Sequence, residues 1–388
     1  NNTMIDYILI ALASAMLAVI WIHPRLVKIA HLKNIVDNPN ARKLQHTPVP
    51  VLGGVAVFFG IVLGIALSST YANCSSLMTI VAAMMIMLYT GTMDDIIDLS
   101  AWLRLVVEIG VVMLIIYSTD SSINSFHGLW GIETFSNAKA IPLTIFAAVG
   151  IINALNLIDG VNGLSSGYSI MASIVFGSYF YLSGNIAMLI LASVSVGALI
   201  PFFFHNVFGK SSKMFIGDGG TLVMGVVMST FVISTLSSVS PRISSLSESF
   251  GLVPFTLAVM SIPVFDTLRV MLSRMFKGIS PFHPDKTHLH HHFIELGVSH
   301  AGTTVSILTL NSLVILSQWL TWYLGGSINL QLYVVIALGI AITLGFSMLA
   351  QMASDHNPIK RLIKILGRTT HFERKGIFLV LQRIVDRS

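Results

Sequence analysis

The sequence predicts an all-α, polytopic integral membrane protein, and three observations indicate this fold class. Of its 388 residues 54% are hydrophobic and only 10% are charged, whereas soluble globular chains have about 45–50% apolar and about 25% charged residues. The apolar residues form long runs, and the basic residues lie almost entirely on one side of those runs. These features exclude a soluble multidomain enzyme and a disordered chain. The single cysteine, Cys74, excludes a disulfide scaffold.

Eleven apolar runs approach the length of a transmembrane helix, which needs roughly 20 mostly apolar residues to cross the hydrocarbon core. In chain order they cover residues 4–22, 50–70, 77–93, 102–118, 140–157, 166–183, 185–204, 219–238, 251–268, 302–324 and 331–352. Turn residues or charges separate them, as at Gly325-Gly326. No internal repeat or second soluble domain is visible, so residues 1–352 are predicted to form one membrane domain.

The basic residues predict the orientation of these helices. Of the 22 lysines and arginines, only Lys139 and Arg242 fall on one side, and all the others fall on the opposite side. Because lysine and arginine are enriched in cytoplasmic loops, the N-terminus is predicted to be periplasmic and the C-terminus cytoplasmic. Topology explains the basic charge without nucleic acid. Residues 353–388, which are rich in basic and apolar side chains, are predicted to form an amphipathic cytoplasmic tail on the membrane lipids.

Polar residues gather where the predicted helices meet the cytoplasmic side. Ionisable residues at membrane depth are costly and are usually functional. The groups are Asp94, Asp95 and Asp98; Asn153, Asn156, Asp159 and Asn162; Asp218 within Gly217-Asp218-Gly219-Gly220; and His288, His290, His291 and His292, which follow Asp266 and Arg269. Chance would scatter such residues over both faces of the membrane. We therefore infer that they form one cytoplasmic site.

The acids of the first group point to a bound cation. Carboxylates at a helix C-terminus oppose the helix dipole, and few basic residues lie nearby in the sequence. Asp94 and Asp98 are four residues apart and share a helix face, which suits Mg²⁺ or a Mg²⁺-bound diphosphate. A helix end that simply meets water is the structural alternative.

The other groups carry similar pairs of interpretations. Unpaired amides in hydrocarbon cost several kcal/mol, so the asparagines must face a ligand, water or an interhelical hydrogen-bond network. The turn around Asp218 resembles a helix start that binds phosphate and a cation, with a plain N-cap as the alternative. The histidines suit an anionic pyrophosphate better than structural zinc, because no cysteine lies nearby. A solvated loop is the remaining alternative for them.

As an ordered set, these motifs resemble the polyprenyl-phosphate N-acetylhexosamine-1-phosphate transferases over nearly the whole chain. The matching motifs are Arg42-Lys43 through His46, Pro48, Pro50 and Gly53-Gly54; Asp94-Asp95 with Asp98; Asn153 through Gly163; Phe215 through Gly220; and Ser280 through His292. The string from Pro284 to His292 is similar to the sugar-specificity loop of the bacterial N-acetylglucosamine branch.

The resemblance implies a multi-pass enzyme of the bacterial inner membrane with a cytoplasmic active site. Its expected reaction transfers N-acetylglucosamine-1-phosphate from UDP-N-acetylglucosamine to undecaprenyl phosphate and releases UMP. The expected cofactor is Mg²⁺, with Mn²⁺ as an alternative. The product would start a cell-envelope glycan such as O-antigen (lipopolysaccharide), common antigen or a teichoic-acid-like polymer. The oligomeric state is left open, with a homodimer among the alternatives.

The resemblance also implies roles for single residues. The expected catalytic residues are Asp94, Asp95, Asp159 and Asp218; the expected metal ligands are Asp95, Asn156 and Asp218; and the expected substrate-binding residues are Arg42, His46, Arg104, Asn153, Asn162, Phe215, His288, His290 and His291. Among them, Arg104 matches a cation that grips phosphate, and Phe215 is expected to stack on uracil. His288 and His290 are expected to contact the pyrophosphate and the N-acetylsugar. Asn162 departs from the bacterial branch, which often has Asp there.

Two other functions and two mechanisms remain as alternatives at this point. A membrane prenyltransferase also uses Mg²⁺ on helix ends, but it should have a second Asp-rich motif, and the second group here is rich in Asn and Gly. A transporter should place its polar residues near the bilayer midplane. For the transferase, single displacement is favoured, because a phosphate monoester is largely a dianion at neutral pH. An aspartate nucleophile is the alternative.

Overall fold

Apolar runs form helices throughout the part of the chain that the computed structural model describes, namely residues 2–37, 48–240, 248–280, 287–351, 358–371 and 376–387. The helices are α1 Asn2–Leu32, α2 Gly53–Ser68, α3 Leu77–Ile97, α4 Ala101–Thr119, α5 Asn137–Leu157, α6 Leu164–Ser183, α7 Ile186–Phe208, α8 Gly217–Leu236, α9 Leu252–Val259, α10 Ser261–Phe276, α11 Leu289–Glu295, α12 His300–Tyr323, α13 Ile328–Gln351, α14 Pro358–Thr369 and α15 Ile377–Val385. A short antiparallel pair, β1 Val36–Asp37 and β2 Val49–Pro50, adjoins them.

The chain is an all-α polytopic membrane protein. Within the described ranges, eight helices are long and apolar enough to cross a bilayer, and the bent pair α9–α10 makes up to nine. The predicted total of eleven is not confirmed. α2 has 16 residues, or about 24 Å against about 30 Å of hydrocarbon. α6 contains four buried serines, among them Ser166 and Ser169, which lower its hydropathy.

The predicted ninth span is broken. α9 and α10 meet at an angle of 74°, and Asn311 of α12 satisfies the backbone groups at the break. Its Oδ1 accepts a hydrogen bond from the Ile262 N–H (3.0 Å), and its Nδ2 donates to the Val259 carbonyl (3.0 Å). Freed backbone groups at membrane depth need partners of this kind, so a sharp bend is stable here.

α8 lies at the centre of the bundle, with nearly every residue from Thr221 to Leu236 buried. Glycines on the neighbouring helices allow their backbones to come into direct contact with the backbone of α8. Gly91 of α3 lies against the Asp218–Gly219 backbone, and Gly54 of α2 lies against Gly220. Small residues commonly mediate such close helix contacts in membranes. The first turn of α8 is therefore fixed against two other helices.

The helix ends that carry the polar groups meet at one end of the bundle, where their side chains form the hydrogen bonds described below. A tight turn joins α3 to α4. Asp98 adopts a left-handed conformation (φ 50°) and donates its N–H to the Asp94 carbonyl, and Ser100 caps the start of α4 by accepting from the Leu103 N–H (3.2 Å). This turn brings Arg104 beside Asp94.

Candidate active site

A cleft of about 740 Å³ opens at this end of the bundle, a volume within the range of small-molecule sites. Eight of the predicted residues line it: Asp94, Asp95, Asp98, Asp159, Asn162, Phe215, Asp218 and His291. They come from the end of α3, the α5–α6 turn, the segment that starts α8, and α11. The structure thus brings together polar groups that are far apart in the sequence.

Arg104 lies behind the acids of the cleft and makes several contacts at once. Its Nη1 donates to Asp94 Oδ2 at 2.9 Å and lies 3.8 Å from Asp218 Oδ2. Its Nη2 donates to the Oδ1 atoms of Asn153 (3.1 Å) and Asn156 (3.3 Å). A guanidinium suits this position because its planar fork offers five fixed donors. One cation therefore holds the ends of α3, α5 and α8 together.

Glu108 lies one helical turn after Arg104 and contacts both Arg104 and its partner Asn153. Its side chain is 1% exposed, and its Oε1 lies 3.5 Å from Arg104 Nε. Its Oε2 accepts a hydrogen bond from Asn153 Nδ2 at 2.5 Å. A buried carboxylate needs such partners to be tolerated. The sequence interpretation missed Glu108, although an acid four residues after Arg104 inside an apolar run was a usable signal.

Asn156 links α5 to the start of α8. Its Nδ2 donates to Asp218 Oδ1 (2.9 Å) and to Thr221 Oγ1 (2.9 Å), and its oxygen accepts from Arg104. Asn153 and Asn156 therefore belong to an interhelical hydrogen-bond network at the wall of the cleft. In this arrangement the predicted metal ligand Asn156 orients the Asp218 carboxylate.

Asp95 and Asp218 lie close together, since Asp95 Oδ2 accepts a hydrogen bond from the Asp218 N–H at 2.9 Å. Both are oxygen donors of the kind Mg²⁺ prefers, and Mg²⁺ in phosphoryl-transfer sites is held by one or two carboxylates plus substrate phosphates. Among the residues described, no group of three or more His, Cys, Asp or Glu could hold a metal alone. The pair therefore fits a metal that the substrate helps to bind.

Asp159 faces the same cleft from the α5–α6 turn. Desolvation by the surrounding protein, followed by the charges of Asp218 and Asp95, raises the pKa of its carboxyl to about 8, although its side chain is exposed in the cleft. Asp159 therefore takes up a proton more readily than an ordinary carboxyl group.

The segment between α7 and α8 forms a wall of the cleft that contains Phe215 and Lys213, whose Nζ lies 5.8 Å from the Phe215 ring centroid. Asn206 supports this wall, because its Nδ2 donates to the Met214 carbonyl (2.9 Å) and its Oδ1 accepts from the Gly163 N–H (2.6 Å). Asn206 also lines the cleft. Sequence reasoning missed it, since a lone Asn at a helix end gives little signal.

The predicted histidines occupy different positions. His291 lines the cleft, whereas His288 and His290 are buried. His288 Nδ1 lies 3.0 Å from Oδ2 of the buried Asp266, and its Nε2 has no hydrogen-bond partner among the described residues. Burial, followed by the nearby His291 and His288, lowers the pKa of His290 well below its ordinary value. His290 is therefore neutral at physiological pH.

Glycine is required where the histidine segment meets the α5–α6 turn. A Cβ on Gly160 would overlap the His290 ring, so only glycine allows His290 to lie this close to the cleft wall. The predicted residues Arg42 and His46, together with residues 281–286 of the predicted sugar-specificity loop, lie outside the described residues.

Comparisons with known proteins agree with this geometry. The sequence model of glycosyl transferase family 4 matches residues 77–236, which contain most of the cleft acids. The chain is 31% identical over 303 residues to the probable undecaprenyl-phosphate N-acetylglucosaminyl 1-phosphate transferase of Bacillus subtilis, covering 77% of this chain and 81% of that protein. It is 31% identical to the undecaprenyl-phosphate alpha-N-acetylglucosaminyl 1-phosphate transferase of Salmonella typhi, and 29% identical to that of Escherichia coli K12. Each match covers 70% of this chain and 72% of the relative.

Proposed function

The chain belongs to the undecaprenyl-phosphate N-acetylglucosaminyl 1-phosphate transferases of glycosyl transferase family 4, and from that premise we propose its reaction. It transfers N-acetylglucosamine-1-phosphate from UDP-N-acetylglucosamine to undecaprenyl phosphate and releases UMP. The observation that carries this proposal is a convergence of three acids in one cleft: Asp94 and Asp218 lie beside Arg104, and Asp95 accepts a hydrogen bond from the Asp218 backbone. Family membership favours this reaction over the prenyltransferase and the transporter.

We place the reaction at the cytoplasmic face of the bacterial inner membrane. The one-sided distribution of lysine and arginine supports this orientation, with a periplasmic N-terminus and a cytoplasmic C-terminus. The substrates require a site at a membrane surface, because the isoprenoid chain stays in the bilayer while the nucleotide sugar approaches from water. Residues 1–352 would form the catalytic domain, and residues 353–388 the tail on the membrane lipids.

The family uses a divalent metal, and we propose Mg²⁺, with Mn²⁺ as the alternative. Asp95 and Asp218 would hold it, and Asn156 would keep Asp218 oriented through its hydrogen bond. When bound, the metal supplies Lewis-acid polarisation of phosphoryl oxygens and neutralises their charge. Such compensation matters here because six aspartates line the cleft: Asp37, Asp94, Asp95, Asp98, Asp159 and Asp218.

The chemical step we propose is a single displacement. An oxygen of the lipid phosphate attacks the phosphorus that bears the sugar, and the bond from that phosphorus to the UMP oxygen breaks. UMP leaves with the bonding electron pair. The second pKa of a phosphate monoester is near 6, so the lipid phosphate is already largely a dianion at neutral pH. The step therefore needs no general base.

The contacts of Asp94 support this choice over a covalent aspartyl intermediate. Its Oδ1 accepts from the Leu99 N–H at 2.7 Å, and its Oδ2 accepts from Arg104 at 2.9 Å. A carboxylate with both oxygens engaged is a poor nucleophile but is well held. We propose that Asp94 positions the reacting groups, and that Asp159 acts beside it from the α5–α6 turn, where it lines the same cleft.

Arg104 is predicted from the sequence to grip phosphate, and the structure suggests how it contributes. Three of its five N–H groups already donate to Asp94, Asn153 and Asn156, so most of its hydrogen-bonding capacity is directed at protein groups. We propose that its main role is to fix the carboxylates and amides. Phe215 remains the proposed stacking partner of uracil, with Asn162 near the nucleotide. His288, His290 and His291 remain the proposed sugar and pyrophosphate contacts.

The test is UMP release by the purified protein in detergent with undecaprenyl phosphate, UDP-N-acetylglucosamine and Mg²⁺. We expect UMP that depends on both lipid and metal, and we expect none above background from Asp218→Ala. Asp6→Ala is the matched control, because it removes an exposed acid near the start of α1, away from the cleft. UMP from another UDP-N-acetylhexosamine alone would correct the sugar. Folded wild-type protein that releases no UMP from any of them would refute the reaction.

A further inference from the structure

Asp386, the residue that caps the end of α15, binds the loop after α7, which precedes it by more than 170 residues. Asp386 Oδ1 accepts hydrogen bonds from the backbone N–H groups of Lys210 (3.0 Å), Ser211 (3.1 Å) and Ser212 (3.1 Å). The Ser212 hydroxyl donates to the same oxygen at 2.9 Å, and Asp386 Oδ2 lies 3.3 Å from the Lys210 nitrogen. Consecutive N–H groups that converge on one carboxylate form an anion-binding nest.

α15 is held in the position that allows this contact. Phe378 packs against Phe208 at the end of α7, with ring centroids 4.9 Å apart, and Val385 is buried. Partial burial alone would raise the pKa of Asp386, but hydrogen bonds from the Ser212 and Lys210 N–H groups and the Ser212 and Ser211 side chains lower it. Asp386 is therefore a carboxylate at neutral pH.

The bound loop leads directly into the cleft wall. The Ser212 carbonyl lies 2.9 Å from Nε2 of the buried His23 of α1. The next residue, Lys213, lines the cleft, and so does Phe215, whose N–H donates to the Pro50 carbonyl at 2.8 Å. Residues 210–215 are thus fixed at one end by Asp386 and at the other by β2. Loss of the first attachment would loosen residues 210–212, which precede Lys213, but would leave Met214 bound to Asn206 and Phe215 bound to Pro50.

We propose that Asp386 is a positioning residue for the nucleotide side of the active site, and that it acts by holding residues 210–213 so that Lys213 faces the cleft. This inference rests on the proposed function, which stacks the uracil of the UDP-sugar on Phe215, two residues after Lys213. Asp386 touches no reacting atom. Its loss therefore weakens the binding of the UDP-sugar more than it slows the chemical step.

The matched pair of variants is Asp386→Asn and Arg387→Gln. The amide keeps the shape of Asp386 but loses the charge that strengthens its hydrogen bonds. Arg387→Gln changes the charge of the adjacent, exposed residue. For Asp386→Asn we expect the KM for UDP-N-acetylglucosamine to rise about tenfold, with kcat changed by less than about twofold, as when binding is lost equally in the ground and transition states. The KM for undecaprenyl phosphate should stay constant, and Arg387→Gln should behave as wild type.

Hydrogen exchange of the 209–216 segment tests the contact independently of activity. We expect faster exchange at the amides of 210–212 in Asp386→Asn than in wild type or Arg387→Gln, and similar exchange in α8. Unchanged exchange, or an unchanged KM for the nucleotide sugar in an active enzyme, would overturn the proposal. An equal fall in kcat at saturating concentrations of both substrates would also overturn it. Wild-type protein without UMP release would instead refute the proposed function, and the exchange result would still decide whether Asp386 holds the loop.

Discussion

Substitution of Gly91 by alanine tests whether close packing of α3 against α8 sets the catalytic geometry. A Cβ at position 91 would lie closest to the Gly219 nitrogen, and 2.5 Å from the carbonyl carbon of Asp218 and from Gly219 Cα, whereas real Cβ contacts essentially never fall below 3.0 Å. All three contacts are backbone atoms, which cannot rotate away. The two helices must therefore separate by more than about 0.5 Å, and by more than about 0.9 Å to reach an ordinary contact at 3.4 Å.

This separation acts directly on the acids of the cleft. Asp95 lies on α3 and Asp218 on α8, and the 2.9 Å hydrogen bond between them crosses the same contact. A misplacement near 1 Å costs about 100-fold in rate, so we expect kcat to fall about 10- to 100-fold in Gly91→Ala. Overpacking typically costs about 1–3 kcal/mol, which outweighs the gain of up to about 1 kcal/mol from alanine in a helix.

The assay is lipid-dependent UMP release, with kcat, KM and the thermal midpoint measured for each purified variant. Gly110→Ala on α4 is the matched control, because no described atom lies within 4 Å of a Cβ at that position. It has the same gain in helix propensity without the clash, so its kcat should stay within about twofold of wild type and its stability should not fall. A folded Gly91→Ala variant with wild-type kcat would refute the argument that this contact positions Asp95 and Asp218.

Two further predictions concern the charges of the site. Arg104→Lys keeps one positive charge but loses the planar guanidinium that reaches Asp94, Asn153 and Asn156. Each charged hydrogen bond contributes about 1.5–3 kcal/mol, so loss of two should lower kcat about 100-fold or more. A near-wild-type kcat would contradict this role of Arg104. For Asp159, the folded-state pKa of about 8 lies above the unfolded value of about 3.9, so ionisation destabilises the metal-free fold progressively as pH rises between these values. The Asp159→Asn variant cannot ionise at this position and so does not lose stability in this way. Its thermal midpoint relative to that of wild type should therefore increase from pH 5 to pH 8 in chelator-containing buffer. A difference that does not change with pH would exclude the raised pKa.

Much of the fold follows from apolar periodicity and length, and the exceptions have physical reasons. The predicted runs at 77–93 and 140–157 became α3 and α5 with small shifts at their ends. The run at 251–268 is apolar enough to predict a continuous helix, but Asn311 from another helix stabilises a break in it. A partner 50 residues away leaves no mark on local periodicity. The predicted run at 166–183 became α6, whose buried serines lower its hydropathy.

The candidate site was predictable in composition but not in its contacts. One-sided placement of the acids and amides identified the end of the bundle at which they meet. It did not indicate that Arg104 would lie among five side chains, because those contacts depend on the relative rotation of α3, α4, α5 and α8. Glu108 left a usable signal, an acid four residues after Arg104 in an apolar run, whereas the single Asn206 left little. The structure shows the partners of both, because Glu108 accepts a hydrogen bond from Asn153 and Asn206 accepts one from Gly163.

The cleft has one wall that contains Asp95 and Asp218 and another that contains Lys213 and Phe215. These walls are held in different ways, so substitutions in them should have different kinetic effects. The wall that contains Asp95 and Asp218 is formed by α3 and α8, which are in backbone contact at Gly91. A disturbance of that contact shifts both acids and so reduces the stabilisation of the transition state. The nucleotide wall contains a loop that Asp386 holds from outside the bundle. We expect a disturbance of that loop to affect the nucleotide more than the reacting phosphates. Substitutions in the first wall should therefore lower kcat, and those in the second should raise the KM for the nucleotide sugar. The two effects should add in a double variant, because Gly91 contacts residues 218–219 and Asp386 contacts residues 210–212.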